Sequence, residues 1–308
     1  MFEGFQPFTV TTQSDPKVDI YGLKSGDASS SLPPLLLLHG APQTHHIWHR
    51  VAPQITSKYT VILMDLRGYG QSSKPEPVAA YAKSAMAGDC IGVMDALGFD
   101  SFFVCAHDRG ARVTHKLCVD HPTRVRKAVL LDICPTLAMF EATNFDFAKA
   151  YWHWFFMAQA EPLPETLIRN SGRQLAGMWF GGGNADGVGS GGRQPECGTF
   201  DPRCFEVYAK GLESPETVHG MCNDYRAGAT LDLEEQRTDL AEGRRIRSPL
   251  VVLWGKYGVI EKSFDAVKEW KAVSDEGVDV QGFSVDSGHF LPEQVPEDVV
   301  GAIVEFLV

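Results

Sequence analysis

The sequence predicts an α/β protein built on a mostly parallel, doubly wound sheet, with a helical segment inserted between two of the strands. Three observations indicate this class. Short apolar runs have the length of buried parallel strands, and segments of helical composition alternate with them along the chain. In addition, 44% of the 308 residues are hydrophobic, which is enough for one large core with an inserted subdomain.

The predicted elements follow one another in this alternating order. Residues 8–23 alternate in polarity as an opening hairpin does, and Pro33 and Pro34 lead into the first buried strand. Connections between successive parallel strands are expected to be right-handed. We expect strands at 35–38, 59–64, 102–106, 127–131, 249–254 and 282–285, and helices at 79–97, 109–118 and 297–307.

Residues 138–245 interrupt the alternation. They are aromatic and helical at first, over 151–157, and then pass through a glycine-rich stretch at 181–198. We interpret 138–245 as a helical cap inserted into a core made of 1–137 and 246–308. The glycine-rich stretch is expected to be a long loop, to which the sequence assigns no functional role.

Composition excludes several classes of function. The net charge of −11 gives no basic face for a nucleic acid, and no apolar run is long enough to cross a membrane. Seven cysteines without a CxxC pair favour reduced thiols over a disulfide framework. The sequence therefore predicts a cytoplasmic protein that acts on a small molecule. It implies no metal or organic cofactor, because neither a ligand cluster nor a phosphate-binding loop is evident.

The most informative stretch is His107-Asp108-Arg109-Gly110-Ala111. An apolar strand, a tight turn and a helix are expected here, and this arrangement lifts one side chain to the top of a sheet. Many hydrolases carry Ser at that point, whereas this chain carries Asp108. A carboxylate attacks a saturated carbon and forms an ester, as in dehalogenation or epoxide opening. Alternatively, Asp108 is an ordinary turn residue at a helix start.

Two further polar residues follow predicted strands. Asp132 ends the strand at 127–131, and His289 follows the last strand. A nucleophile, an acid and a histidine in this chain order form a known triad pattern, in which Asp132 holds the tautomer of His289 and His289 activates water. No Asp follows the strand at 249–254, where Glu261 is a fallback for the acid. Alternatively, His289 is a loop histidine without catalytic work.

Six sequence motifs together resemble those of a known family. Through them the chain resembles the α/β-hydrolase fold family, and specifically its haloacetate (fluoroacetate) dehalogenases, along almost its whole length except 181–198. The resemblance implies hydrolytic dehalogenation of short 2-haloacids through an aspartyl ester, and a homodimer. The motifs are HGAPQTH at 39–45, WHRVAP at 48–53, DLRGYG at 65–70, HDRGAR at 107–112, LDICPT at 131–136 and WHWF at 152–155.

The resemblance assigns the substrate carboxylate to Arg109 and Arg112. Haloalkane dehalogenases and epoxide hydrolases usually carry Trp where this chain has Arg109. Arg112 lies four residues after Asp108 and thus on the same helix face. Two guanidinium groups could clamp a carboxylate and would also lower the pKa of Asp108. Alternatively, Arg112 pairs with a nearby acid on its helix.

The resemblance also assigns the groups that receive the leaving halide. His153, Trp154 and Tyr225 would form a halide cradle, because their N–H and O–H groups can replace the water that solvates fluoride. The backbone N–H groups of Ala41 and Arg109 would stabilise the oxyanion, and Trp179 would line the pocket. Aromatic residues also dominate cores, and we favour that role for Trp152 and Phe155.

Three other functions stay open. An epoxide hydrolase would use the same triad, with Tyr225 donating a proton to the epoxide oxygen. A non-catalytic, ligand-binding relative would belong to another class, although such relatives usually lose a triad member and this chain keeps all three. The same pocket could also act on a natural product, because the cap sets the size of the substrate.

Overall fold

The computed structural model describes residues 1–26, 31–180 and 199–307. Within these residues there are eight strands: β1 Phe5–Ser14, β2 Lys17–Ser25, β3 Pro34–Leu38, β4 Thr60–Met64, β5 Phe102–His107, β6 Val125–Leu131, β7 Leu250–Gly255 and β8 Val280–Val285. They form one sheet in the order β1-β2-β4-β3-β5-β6-β7-β8. β2 pairs antiparallel with β1 and β4, and all other neighbouring strands are parallel.

Helices alternate with the strands as the sequence predicts. The expected helix at 79–97 divides into a 3₁₀ turn at Val78–Tyr81 and a helix at Lys83–Ala96, because Ala82 between them has extended backbone angles (φ −56°, ψ 143°). A second 3₁₀ turn spans His45–His49. The helices are α1 Ala52–Ile55, α2 Lys83–Ala96, α3 Arg109–Asp120, α4 Thr136–Glu141, α5 Phe145–Ala150, α6 Trp152–Met157, α7 Leu163–Phe180, α8 Pro202–Glu213, α9 Pro215–Gly228, α10 Leu231–Ala241, α11 Val259–Ser263, α12 Ala266–Ala272, α13 Leu291–Gln294 and α14 Pro296–Phe306.

Both faces of the sheet are buried, which explains why its strands read as continuous apolar runs. In β3, successive side chains alternate between the two faces. Leu36 and Leu38 belong to one hydrophobic cluster, and Leu35 and Leu37 belong to the cluster on the other face. β3 therefore lies in the middle of the sheet, buried on both faces and paired with β4 and β5.

The helices α4 to α10 lie in the chain between β6 and β7 and are called here the β6–β7 segment. It starts with α4 at Thr136 and its last helix ends at Ala241. The proposed division into a 138–245 cap and a core of 1–137 and 246–308 stays a prediction. The glycine-rich stretch 181–198 lies outside the described residues.

Two properties of the described residues bear on the sequence predictions. The six described cysteines are buried and free, so none of them forms a disulfide. Among the described helices, none combines the length and the apolar character that crossing a membrane requires.

Candidate active site

Asp108 lies at the sharp turn between β5 and α3 and is buried. Its backbone has φ 47° and ψ −113°, a region that non-glycine residues rarely adopt and that costs energy. The turn brings Asp108 against Gly40, where an added Cβ would lie 2.5 Å from the Asp108 Cβ. The Ala41 N–H donates a hydrogen bond of 3.0 Å to Asp108 Oδ1. The Ala41 N–H therefore holds Oδ1 and leaves Oδ2 of Asp108 without this hydrogen bond.

Asp132 and His289 meet beside this carboxylate. Asp132 follows β6, also at positive φ (52°), and the Gly255 N–H donates to its Oδ1 at 2.8 Å. Its Oδ2 lies 2.6 Å from His289 Nδ1. The other ring nitrogen, Nε2, lies 3.9 Å from Asp108 Oδ2, too far for a hydrogen bond. The three residues thus stand in the order that an acid, a base and a nucleophile require.

The fallback acid suggested by the sequence lies elsewhere. Glu261 accepts a hydrogen bond from the indole of Trp254, and its carboxylate is therefore not the partner of His289.

The charges around the triad set its protonation. Burial acts to raise the pKa of Asp108, but His289 and the guanidinium groups of Arg109 and Arg112 outweigh it and hold that pKa below its usual value. Burial acts to lower the pKa of His289, whereas the hydrogen bond and charge of Asp132 raise it above its ordinary 6.5. The site therefore keeps Asp108 ionised next to a basic imidazole.

His107, the residue before Asp108, contacts His289. Its Nε2 lies 2.8 Å from the backbone carbonyl oxygen of His289, to which it can only donate. The two ring centres lie 4.6 Å apart, and burial lowers the pKa of His107 to about 3, so its ring is neutral. His107 belongs to the HDRGAR motif, but the sequence alone predicts no role for it.

A small cavity opens onto Asp108 and His289. It is the small space between the ends of β3 and β5 and the helices α6, α7 and α9 that carry most of its other lining residues. Burial lowers the pKa of His153 to about 3 and raises that of Tyr225 well above its usual value, so both side chains are neutral donors. The lining consists of Ala41, Pro42, Asp108, Tyr151, His153, Met157, Trp179, Met221, Tyr225, His289 and Phe290.

Arg109, Arg112 and Trp154 are buried but do not line this cavity. The Arg109 guanidinium binds the carboxylate of Asp224 and lies 4.5 Å from the centre of the Tyr225 ring. The Arg112 guanidinium lies 4.5 Å from the Trp154 ring centre and donates to the Thr136 hydroxyl. Thus the two arginines and Trp154 stand beside the cavity-lining residues, and their substrate roles stay predictions.

The sequence alone did not predict several residues at the site. The hydroxyl of Tyr151 is buried without a hydrogen-bond partner among the described residues, and Tyr151 lines the cavity. Asp224 is the buried partner of Arg109. Asp224 adjoins Tyr225, to which the sequence gave a role, and Tyr151 adjoins the WHWF motif. Their neighbourhood was therefore visible in the sequence, but their contacts were not.

One described cluster has metal-ligand chemistry, namely His49, Cys204 and Glu293, whose ligand atoms lie within 4.8 Å of one another. Burial raises the pKa of the Cys204 thiol to about 12 and that of Glu293 well above its usual value. Glu293 already accepts hydrogen bonds from Gln43 and Tyr208. The cluster is thus a protonated, hydrogen-bonded group, which suits internal packing better than it suits a cation.

Comparisons with known proteins identify the family of this chain. A family model for the alpha/beta hydrolase fold matches residues 33–181. The chain is 39% identical to a fluoroacetate dehalogenase from a Burkholderia species, over 100% of this chain and 95% of that protein. It is 27% identical to a soluble epoxide hydrolase from Corynebacterium sp. (strain C12), over 89% of each. A crystal structure from Nostoc sp PCC 7120, described as an alpha/beta hydrolase, matches with TM-score 0.89 and 41% identity, covering 100% of this chain and 99% of that one.

The chain therefore belongs to the α/β-hydrolase fold family and is a hydrolase. Within the family it groups with the haloacetate dehalogenases, because its similarity to the fluoroacetate dehalogenase extends along the whole chain. The fold class and the family predicted from the sequence are both confirmed.

Proposed function

We propose that the protein hydrolyses short 2-haloacids, with Asp108 as the nucleophile. The observation that carries this proposal is that Asp108, His289, His153 and Tyr225 converge on one small cavity. A small cavity favours a substrate of few heavy atoms over a large one. The 39% identity to a fluoroacetate dehalogenase supports the same reaction class.

In the first step, Asp108 displaces the halide. Oδ2 attacks the carbon that carries the halogen, because Oδ1 is held by the Ala41 N–H at 3.0 Å. The new C–O bond forms as the carbon–halogen bond breaks, and the halogen leaves with the electron pair. His153 and Tyr225 donate hydrogen bonds to the departing halide in place of water. Trp154 is the third donor that the family resemblance implies.

In the second step, water hydrolyses the ester. His289 Nε2 takes a proton from the water as its oxygen adds to Cγ of Asp108, and Asp132 stabilises the resulting imidazolium across the 2.6 Å contact. The Ala41 N–H stabilises the negative charge on Oδ1, and the backbone N–H of Arg109 is the second donor that the resemblance implies. The bond between Cγ and Oδ2 then breaks. Oδ2 leaves as the hydroxyl oxygen of the 2-hydroxy acid with the proton from His289, and Asp108 retains an oxygen from water and releases the remaining water proton to solvent.

Halide release from fluoroacetate and chloroacetate tests the proposal directly. We expect the wild-type enzyme to release halide and Asp108→Asn to release none, because an amide is a poor nucleophile. Mass spectrometry of the Asp108 peptide controls for deamidation. Full activity of an intact Asp108→Asn variant would contradict the mechanism.

Epoxide hydrolysis is the second candidate. The phenols of Tyr151 and Tyr225 both line the cavity that holds Asp108, and two phenols could donate to an epoxide oxygen as the ring opens. Incubation with styrene oxide and with a small epoxy acid, alongside the haloacids, decides between the two. Diol formation without halide release would favour the epoxide hydrolase.

A further inference from the structure

Asp224 on α9 is a buried carboxylate that binds Arg109, the residue after the nucleophile. Arg109 Nε donates to Asp224 Oδ2 at 2.9 Å, and Nη2 donates to Oδ1 at 2.6 Å. Nη2 also donates to the Asp224 backbone oxygen at 2.6 Å. Such a two-pronged pair fixes the guanidinium plane as well as its position. Nη1 makes no hydrogen bond among the described residues and is the nitrogen left for a ligand.

The same carboxylate is held from two other directions. Lys83 Nζ lies 2.5 Å from its Oδ1, and the Tyr69 hydroxyl donates to Oδ2 at 2.8 Å. Asp232 lies 3.3 Å from the same Lys83 ammonium. Because all of these groups are buried, Asp224 has little freedom to move and Arg109 is held by a fixed anchor.

α9 also provides the space that Arg109 occupies. Gly228 lies four residues after Asp224, on the same helix face. A Cβ at Gly228 would lie 3.0 Å from Arg109 Nη2 and 3.3 Å from Nη1, closer than side chains normally pack. The helix therefore offers Arg109 both an anchoring carboxylate and a gap, and Tyr225 between them packs under the guanidinium at 4.5 Å.

We propose that Asp224 and Gly228 are positioning residues that hold Arg109 in the orientation needed to bind the carboxylate of an anionic substrate. This inference rests on the proposed function, since it concerns the carboxylate of the 2-haloacid. It assigns α9 a second task beyond carrying Tyr225. Arg112 differs, because its guanidinium makes no ion pair with any carboxylate among the described residues and donates to Thr136 and Met139 instead.

Two variants displace Arg109 in different ways. Asp224→Asn removes the negative charge and one of the two side-chain hydrogen bonds that Asp224 accepts from Arg109. Gly228→Ala crowds the Arg109 guanidinium without changing any charge, and Ala is a better helix former than Gly. The readout is the ratio of kcat/KM for chloroacetate to that for chloroacetamide, its neutral isostere. We expect both variants to lower this ratio by about tenfold or more, the range of one lost hydrogen bond to a charged group.

Matched controls separate this role from a general loss of structure. Asp239→Asn removes a buried carboxylate on α10 that pairs with Lys116 and contacts neither Arg109 nor Asp224 in the described part of the chain, and Gly88→Ala places a methyl group in open space on α2. Both should leave the ratio unchanged. An unchanged ratio in Gly228→Ala together with Asp224→Asn would overturn the inference, even if both variants were less stable.

Acetate binding by calorimetry distinguishes failure of this inference from failure of the proposed function. We expect acetate to bind the wild-type protein about tenfold more tightly than either α9 variant. If the wild type binds acetate in this manner but releases no halide, the reaction is wrong and the role of Asp224 stands. If halide is released but acetate binds all variants equally, the reaction stands and the role of Asp224 is wrong.

Discussion

The ends of the core strands and the β6–β7 segment hold their site residues by different forces. At the strand ends, Asp108 and Asp132 both have positive φ, and backbone N–H groups of Ala41 and Gly255 hold their carboxylates. These positions depend on the sheet and tolerate little movement. They carry the groups that make and hydrolyse the ester in the proposed mechanism.

In the β6–β7 segment, side chains are held by other side chains. His153 packs against Tyr225 and Trp179 with ring centres 6.0 and 6.1 Å apart, and Tyr225 packs under the Arg109 guanidinium. Such contacts can be repacked without breaking a strand. In the proposed mechanism, the strand ends therefore carry out the chemistry, and the β6–β7 segment supplies the hydrogen-bond donors and limits the substrate.

Removing the base should have the largest effect on turnover. In His289→Asn, Asp108 can still form the ester, but water is no longer activated. We expect turnover to fall by about 10³–10⁴-fold, and the ester to accumulate on Asp108. Intact mass spectrometry after incubation with chloroacetate should detect a carboxymethyl adduct. Finding no adduct in a folded His289→Asn protein would place His289 in the first step. It would contradict the assignment of ester formation to Asp108 and of ester hydrolysis to His289.

Removing a donor from the β6–β7 segment should have a smaller effect that depends on the halogen. Tyr225→Phe keeps the ring under Arg109 but loses the O–H group. We expect halide release to fall by up to about 10²-fold, the usual size for one lost donor to a developing charge. The loss should be larger for fluoroacetate than for chloroacetate, because fluoride needs stronger solvation. Equal losses for both substrates would show that Tyr225 does not face the halide.

The smallest effect is the pH dependence of the wild-type enzyme. His289 acts as a base only when neutral, and Asp132 raises its pKa above 6.5. Ester hydrolysis should therefore rise with pH, with a midpoint above 6.5, and fall about tenfold for each unit below that midpoint. In Asp132→Asn the remaining activity should have its midpoint at lower pH. An unchanged midpoint in Asp132→Asn would show that Asp132 does not raise the pKa of His289.

The sequence predicts the site residues at the strand ends better than it predicts the contacts of the β6–β7 segment. Asp108, Asp132 and His289 follow apolar strand runs, and parallel strands end at one edge of a sheet, so their proximity could be predicted. The partnership of Asp224 with Arg109 spans 115 residues and depends on where the β6–β7 segment places α9, which no local pattern encodes. The free hydroxyl of Tyr151 likewise results from packing.

The contacts of Arg109 and Arg112 were likewise not predictable from the sequence. They lie three residues apart on α3, and the family resemblance gives them one shared role. In the structure, Arg109 binds a carboxylate from α9, whereas Arg112 contacts Thr136, Met139 and Trp154. Their environments differ because α9 of the β6–β7 segment supplies the partner of Arg109, whereas α4 and α6 supply the partners of Arg112.

A single turnover in H₂¹⁸O tests the central claim, that Asp108 forms an ester which water cleaves at Cγ. With the enzyme in excess over chloroacetate, the proposed mechanism predicts ¹⁸O in the peptide that contains Asp108 and none in the hydroxy acid product. Label in the product and an unlabelled Asp108 would mean that water attacks the substrate carbon directly. That result would contradict the assignment of Asp108 as the nucleophile.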